Sequence, residues 1–521
     1  MAELIKKIRS FMSDNGLDCL LINSTNEFLV EYNSLAENSR YNLTRFSGSA
    51  GDAVVTKDKV YLFVDGRYHI QADLEVDHSF VTVVKLHNGE KMIEKMRFLL
   101  PDHSILGVVS KKNSQARVEL LQKYFNVRLL DYDIAEPAFE LPEDKIEDID
   151  IRFSGLAFKE KFSLITSNLA ADEAILLTNA EEVSYLFNKR DFSKPFASKI
   201  TAKAFVTKNN AEFFTRDKLN DFEQKLKSFN GRVFVDKKSV NAYDYSILKN
   251  QAVPVEENPV QLMRSVKTDE ELQHYKESFK KTDSAVRAIR DYIENNNNIS
   301  EFDISKKLEE EFIRFGAKGL SFKSIVAKDK NSALAHYSKS SKDEIIADGS
   351  LILIDCGAYY EGGLATDITR VFVKGRPSDI HKKIYTTVLK VFLHAFNFQA
   401  TENFSGFDID ALARKVINEN PVEGFVFNHG LGHGIGISVH ECPPNLSNNE
   451  IARVPLKENM CFTIEPGLYN KDLFGVRLEN SCYLKNGKIN SFVKMNYEKK
   501  LIDFDILTEQ EKEWLKDFEV L

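Results

Sequence analysis

Apolar residues recur at helical spacing in MAELIKKIRSFMSDNG, where Leu4, Ile5, Ile8, Phe11 and Met12 stand between charges. This spacing predicts an amphipathic helix at the start of the chain. From Leu17, LDCLLINSTNEFLVEY reads as an apolar strand, a polar turn and an amphipathic helix, and DEAILLTNAEEVSYLF repeats that order from Asp172. DAVVTKDKVYLFVDGR, from Asp52, and KAFVTKNNAEFFTRDK, from Lys203, match as hairpins with Thr-Lys-polar at the turn. The offsets, about 155 and 151 residues, suggest a duplicated α/β unit. Strands such as FVTVVKL and ILGVVS in the first copy, and RVFVD in the second, alternate with helical segments, which predicts α/β layers. The acidic stretch EPAFELPEDKIEDIDI (Glu136 to Ile151) reads as the link between copies, and a second boundary falls near VEENPV, before Pro259. The expected domains are 1–145, 146–258 and 259–521.

The last half follows a different pattern with its own echo. Thr268 to Glu271 is a capping box that opens a helix to about Glu294. A second helix is expected from about Ile304 to Phe315, followed by strands SFKSIVA and LILID. Helices from about Asp379 to Phe396 and from about Ile409 to Asn418 then precede strands GISVH, CFTIE and RLEN. Two helices followed by strands, twice over, predict two half-domains whose junction favours a ligand site.

At 521 residues the chain is too long for one core and predicts three or four domains. With 43% hydrophobic and 28% charged residues it has an ordinary soluble composition. A net charge of -8, a pI near 5.9 and dispersed Lys and Arg argue against a nucleic-acid partner. The first helix lacks the build of a secretion signal, and no stretch reaches the ~18 apolar residues of a membrane span. Five scattered cysteines fit a reducing compartment, and a cytoplasmic location is expected.

Against that background five residues stand out: Asp355, Asp367, His433, Glu465 and Glu479. Asp355 and Asp367 lie in LILIDCGAYYEGGLATDITRVFV, His433 in NHGLGHGIGISVHE, Glu465 in MCFTIEPGLYN and Glu479 in FGVRLENSCYL. Any one acid in an apolar strand is commonly an edge residue or the partner of a buried Arg. Four of them with an imidazole call for a cation, because an unpaired buried carboxylate costs several kcal/mol. No cysteine pair has CxxC spacing, so a thiolate site is excluded on pattern. HGLGH differs from HExxH, since Gly-Leu-Gly between the histidines disfavours a helix, and its glycines are not in GxGxxG register. Glycine at every other position leaves one strand face bare, where a peptide substrate could lie.

Four carboxylates and one imidazole suit two divalent ions about 3.5–4 Å apart, with bridging carboxylates and a bridging water or hydroxide. An oxygen-rich set with one His points to Mn²⁺, with Zn²⁺ or Co²⁺ as alternatives. His336 in SALAHYS and His440 in SVHE follow small or apolar residues at strand ends and are candidates to donate to a developing oxyanion. His429 reads equally as substrate-binding or as a support for the ligands.

Taken together these motifs resemble the pita-bread metallopeptidases, the family of methionine aminopeptidase, prolidase, creatinase and aminopeptidase P. The resemblance runs from Pro259 to about Asn496 through ALAHYS, DCGAYYEGGLATDITR, HGLGHGIGISVHE, TIEPGLY and GVRLEN. Upstream, FSGSAGDAVVT, FVDGRYHIQAD and DEAILLTNAEEVSYLFN resemble the two front domains of the three-domain aminopeptidase P, as does the tail LIDFDILTEQEKEWL. The implied fold is two duplicated α/β, creatinase-like N-terminal domains followed by a pita-bread catalytic domain. The implied activity is that of a metalloaminopeptidase, a hydrolase releasing the N-terminal residue from peptides with proline second. By the same resemblance Asp355 chelates one metal, Asp367 and Glu479 bridge both, and His433 and Glu465 hold the second. Glu465 is then also the proton shuttle, while His336 and His440 bind the substrate carbonyl. Arg477, two residues before the bridging Glu479, and Arg67 in DGRY match family arginines near the substrate. Asp355 and Asp367 are twelve apart, one more than the common family spacing, and the extra residue falls in the Gly-rich turn. A homodimer is implied as well.

Prolidase, which cleaves Xaa-Pro dipeptides with the same metal set, is the nearest alternative, but it usually has a single front domain. Methionine aminopeptidase lacks the front domains and creatinase lacks the metal set. A non-catalytic pita-bread scaffold is the alternative of another class; such relatives lose ligands and carry long acidic tails, neither of which is seen here.

Overall fold

The computed structural model describes every residue except 32, 88, 139–142, 257, 400–401 and 519–521. The acidic link and VEENPV therefore each lie partly outside the described residues. The chain divides into two compact units, Met1–Ile146 with Ala157–Lys189 and Lys199–Gln261, and Glu147–Leu156 with Arg190–Ser198 and Leu262–Leu521.

In the first unit, helix Ala2–Asp14 buries Ile5, Ile8 and Met12, as their spacing predicts. One sheet runs in the order Val81–Lys85, Val60–Val64, Asp52–Thr56, Cys19–Ile22, Ile105–Val109, Asn126–Leu130. A second runs Ala211–Thr215, Ala202–Thr207, Glu173–Leu177, Arg232–Val235, Ala252–Pro254. In both, the leading strand has an antiparallel hairpin on one side and two parallel strands on the other. The duplication therefore appears in strand order, with Val81–Lys85 added as one more parallel strand in the first copy.

The copies part just after the leading strand. In the second, Asn179 caps helix Ala180–Phe187 by accepting from the Glu182 N–H. In the first, the helix expected in NSTNEFLVEY does not form among its described residues, 23–31. There the Asn26 side chain accepts from the N–H groups of Phe28 (3.0 Å) and Val30 (3.4 Å), and Leu29 takes φ 55°. A side chain that satisfies the backbone locally competes with the helix, which is postponed to Ser39–Thr44.

In the second unit the capping box is complete. The Glu271 N–H donates to Thr268 Oγ1 at 3.1 Å and the Thr268 N–H to Glu271 Oε2 at 2.9 Å. Helices Asp269–Asn295 and Glu301–Arg314 form one pair, Asp379–Phe396 and Gly406–Glu419 the other. The sheet they accompany is antiparallel, in the order Ile325–Lys328, Leu351–Cys356, Ile368–Val373, Glu479–Lys485, Cys461–Ile464, Gly432–Gly434, Glu441–Leu446. An eighth strand, Lys488–Ser491, pairs with Glu479–Lys485. The two halves meet where Ile368 and Thr369 face Asn480 and Glu479.

Leu351, Leu353, Val371 and Val373 share a core with Ile384, Val388, Leu389 and Phe392 of helix Asp379–Phe396. Burying side chains of this size stabilises by roughly 1.5–3 kcal/mol each. Because strand side chains alternate, the faces bearing these residues continue to Asp355 on one strand and to Thr369 and Asp367 on the other. The sheet is apolar at one end and acidic at the junction.

Three local expectations change. Of the strand expected in SFKSIVA, only the last three residues form one, the strand being Ile325–Lys328. GISVH is a bend and not a strand, because the Glu441 carboxylate accepts from the N–H groups of Ile437 (2.7 Å) and Ser438 (3.3 Å) and draws the segment in. The alternate glycines do not leave a bare face. A Cβ on Gly432 would lie 2.0 Å from the Thr463 carbonyl, and one on Gly436 2.1 Å from the Glu441 carboxylate, so the chain fills that space itself. Among the described residues no helix is long and apolar enough to cross a membrane.

Candidate metal centre

Strand register builds the site. Asp355 stands opposite Thr369, and Thr369 opposite Glu479, so three adjacent strands present one polar row. Asp367 precedes the middle strand, Glu465 follows Cys461–Ile464, and His433 lies in Gly432–Gly434. The turn between Asp355 and Asp367 is a closed hairpin. Its Gly363 adopts φ 70°, the Gly363 N–H donates to the Tyr360 carbonyl at 2.8 Å, and the Thr366 N–H to the Ala358 carbonyl at 3.0 Å.

Asp367, His433 and Glu479 each offer a ligand atom, all within 4.8 Å of one another. His433 Nε2 is 3.6 Å from Asp367 Oδ2 and 3.7 Å from Glu465 Oε1. The imidazole's other nitrogen, Nδ1, donates to the Gly434 carbonyl at 3.0 Å, which leaves the Nε2 lone pair aimed at the acids. Asp355 is held by Arg477, whose Nη2 lies 2.5 Å from Asp355 Oδ2, and Arg477 Nε is 4.0 Å from Glu465 Oε2. The five residues singled out in the sequence thus stand in one cluster.

Whether this donor set fits a cation is answered by its unmet oxygens. Asp355, Asp367 and Glu479 are 8%, 4% and 1% exposed, and among the described residues their Oδ1, Oδ1 and Oε1 atoms have no hydrogen-bond partner. Burial, then the charges of Glu479, Asp355 and Glu465, pushes the Asp367 carboxyl well above the usual range. Burial, then Glu465 and Asp355, does the same to Glu479. Orphaned buried oxygens beside an imidazole lone pair are what a divalent cation satisfies, and the set fits such an ion.

These directions set a pH prediction. A carboxyl whose folded pKa lies above its unfolded value of about 4 keeps its proton in the folded chain after the unfolded chain has lost it. Metal-free protein should therefore lose stability as pH rises from there through the raised folded values. A cation binds the ionised form and removes that loss. The Tm gap between metal-loaded and chelator-treated protein is expected to widen as pH rises above that unfolded value. A constant gap would show that the acids ionise at no cost.

The remaining candidates are placed as follows. The His440 ring lies 4.3 Å from that of His433, centroid to centroid, edge-on at 73°. His336 is half-buried in the turn after the short helix Asp329–Ala333, and not at a strand end. That helix meets the strand of Arg477, for the Gly475 N–H donates to Ser332 Oγ at 2.9 Å. His429 donates from Nδ1 to the Gly430 carbonyl (2.7 Å) and accepts at Nε2 from the Tyr469 hydroxyl (2.9 Å). The Tyr469 oxygen in turn accepts from Arg477 Nη1 at 2.8 Å, so His429 supports Asp355 through two intermediaries. Arg67, in the first unit, pairs with both oxygens of Asp65 at 2.9 and 2.8 Å.

Sequence reasoning missed Tyr469 and Thr369. Thr369 Oγ1 donates to Glu479 Oε2 at 2.8 Å and accepts from Arg477 Nε at 3.2 Å. Its place two residues beyond Asp367, on the same strand face, was the available signal. Tyr469 carried none beyond belonging to the strand after Glu465. Glu301 was missed as well. Wholly buried, it accepts from the N–H groups of Lys328 (2.6 Å) and Ser341 (2.9 Å), and from the Asn331 amide (3.0 Å) and the Tyr337 hydroxyl (2.7 Å), clamping the segment that bears His336.

Comparison with known proteins agrees with this picture. The pattern of metallopeptidase family M24 matches residues 273–486, and two creatinase/prolidase N-terminal domain patterns match residues 5–135 and 136–271. The chain is similar to a probable Xaa-Pro aminopeptidase P of Laccaria bicolor, 26% identical over 577 residues, 99% of this chain and 89% of that protein. It is 26% identical to Xaa-Pro aminopeptidase 1 of Dictyostelium discoideum over 588 residues, 99% and 92% of the two chains. Its fold matches the crystal structure of the X-prolyl aminopeptidase of Caenorhabditis elegans, described as a cytosolic enzyme with a di-nuclear active site. That match has a TM-score of 0.90 and 22% identity, over 99% of this chain and 94% of the other.

Proposed function

Because the chain belongs to metallopeptidase family M24 and carries creatinase-type N-terminal domains ahead of a pita-bread catalytic domain, we propose that it releases the N-terminal residue from peptides whose second residue is proline. The observation that carries the hydrolytic half is the trio of buried carboxylates Asp355, Asp367 and Glu479 with unmet oxygens, two of which, Asp367 and Glu479, gather with His433 within 4.8 Å. The proline half is supported by the full-length relatives named Xaa-Pro aminopeptidase. The domain division that goes with this reading is 1–145, 146–258 and 259–521.

Asp355, Asp367, His433, Glu465 and Glu479 would hold two divalent ions, Mn²⁺ by the chemistry of the donors. Such ions lower the pKa of a water molecule, polarise the scissile carbonyl and anchor the free amine. Glu465 is the least buried of the four acids, which suits it to move a proton. It takes the proton from the attacking water and delivers it to the departing proline nitrogen, which has no N–H of its own before cleavage. His440 and His336 donate to the carbonyl oxygen as negative charge develops on it. Arg477, bonded to Asp355, Tyr469 and Thr369, holds that wall of the site in place. A cytoplasmic homodimer acting on small peptides completes the reading.

The test is metal content with substrate choice. Purified protein is expected to carry two ions per chain and to cleave an Xaa-Pro-Xaa tripeptide with kcat/KM at least about tenfold above an Xaa-Pro dipeptide, a preference of ~1.4 kcal/mol. A dipeptide preference would make it a prolidase. Absence of both metal and hydrolysis would make it a scaffold.

A further inference from the structure

The bend Gly436–His440 lies between Gly434 and Glu441, which pair with each other across the ladder, while the partner of the preceding His433 is Asn445. Residues 435–440 are thus looped out of the sheet, and His440 is the last of them. What shapes the loop is the next residue. The Glu441 side chain is almost wholly buried, and its two oxygens divide the work. Oε2 is paired with Arg264 Nη1 and with Lys267 Nζ (3.3 Å), and both cations are as buried as the acid. Oε1 takes the N–H groups of Ile437 (2.7 Å) and Ser438 (3.3 Å). Two cations offset the desolvation of one carboxylate, and the charge left on Oε1 makes strong bonds to the loop backbone. The opposite side of the loop is fixed too. The Ala365 N–H donates to the Gly436 carbonyl at 2.7 Å, and Ser198 Oγ lies 3.1 Å from the Ile437 carbonyl and 2.6 Å from that of Gly363. A side chain at position 436 would collide with the acid, and Gly436 has none.

The geometry points to Glu441, clamped by Arg264 and Lys267, as a positioning residue: it sets the loop that presents His440 against His433. This rests on the peptidase reading above for its kinetic signature, but not for its structural one. The alternative is that the charge cluster only staples the chain entering the catalytic domain to the sheet.

Glu441→Gln keeps the shape and one acceptor but removes the charge. With metal content equal to that of the wild type, kcat on an Xaa-Pro-Xaa peptide is expected to fall about 10–100-fold with KM unchanged. In a His440→Ala background the same change is expected to cost nothing further, since it acts through the ring already removed. A crystal structure of Glu441→Gln should show the His440 ring displaced from its 4.3 Å centroid distance to His433. If that variant fails to fold, Lys267→Gln removes one cation instead, with the same pattern and a smaller fall. An unchanged kcat, a loss that adds to that of His440→Ala, or an undisplaced ring overturns the assignment. If wild-type protein leaves the peptide intact, the proposed reaction fails, while the ring position in the variant still decides whether Glu441 places it.

Discussion

Asp367→Asn is expected to abolish peptide hydrolysis while making the metal-free protein more stable. The two effects have one cause. Asp367 sits 4% exposed among Glu479, Asp355 and Glu465, and both its burial and these charges oppose its ionisation. An amide of the same shape removes that repulsion, so chelator-treated variant should unfold at a higher temperature than chelator-treated wild type. The same amide takes a negative oxygen from the group that lies with His433 and Glu479 within 4.8 Å. Altering a residue that merely supports a ligand costs about 10–100-fold in metal affinity or activity. Loss of a direct ligand should exceed that, with kcat/KM down at least about 10³-fold and metal content below that of the wild type. Calorimetry with and without chelator, together with metal analysis, reads both signs. A variant less stable than wild type in chelator would mean that Asp367 is compensated by something other than a cation.

Arg477→Met should be the most destabilising change at the site. Arg477 is 3% exposed and serves three partners in different directions: Asp355, the Tyr469 hydroxyl and Thr369 Oγ1. Removing one member of a buried pair leaves the other charge uncompensated, at a cost of about 3–5 kcal/mol. Arg477→Lys keeps the charge but places it at one point, so it can replace the bond to Asp355 and not the planar reach to Tyr469 and Thr369. Its penalty should fall between wild type and the Met variant. Urea unfolding of the three proteins checks the order, and a Met variant within about 1 kcal/mol of wild type would show that Asp355 does not depend on this guanidinium.

The parts of this molecule legible in its sequence are those where local pattern and global fold agree. The helix that Thr268 opens, the duplicated strand order and the acids at strand ends could all be read because alternation and capping leave marks within a few residues. The segment after Leu17 misled because Asn26 turns its backbone aside, a competition that apolar spacing does not reveal. GISVH alternates like a strand, yet Glu441 pulls it into a bend through two backbone bonds. Tyr469, Thr369 and Glu301 escaped notice for a related reason. Their importance lies in which distant group each hydroxyl or carboxylate meets, and that depends on strand register rather than on neighbours in the chain.

One consequence follows from the bond between His433 Nδ1 and the carbonyl of the residue next to it. The tautomer of the imidazole is fixed by main chain, so no substitution of a neighbouring side chain can invert it. Redesign of the surrounding residues would leave the same nitrogen facing the acids. Switching it would take a remodelled backbone, in which the strand that carries His433 loses its shift in register.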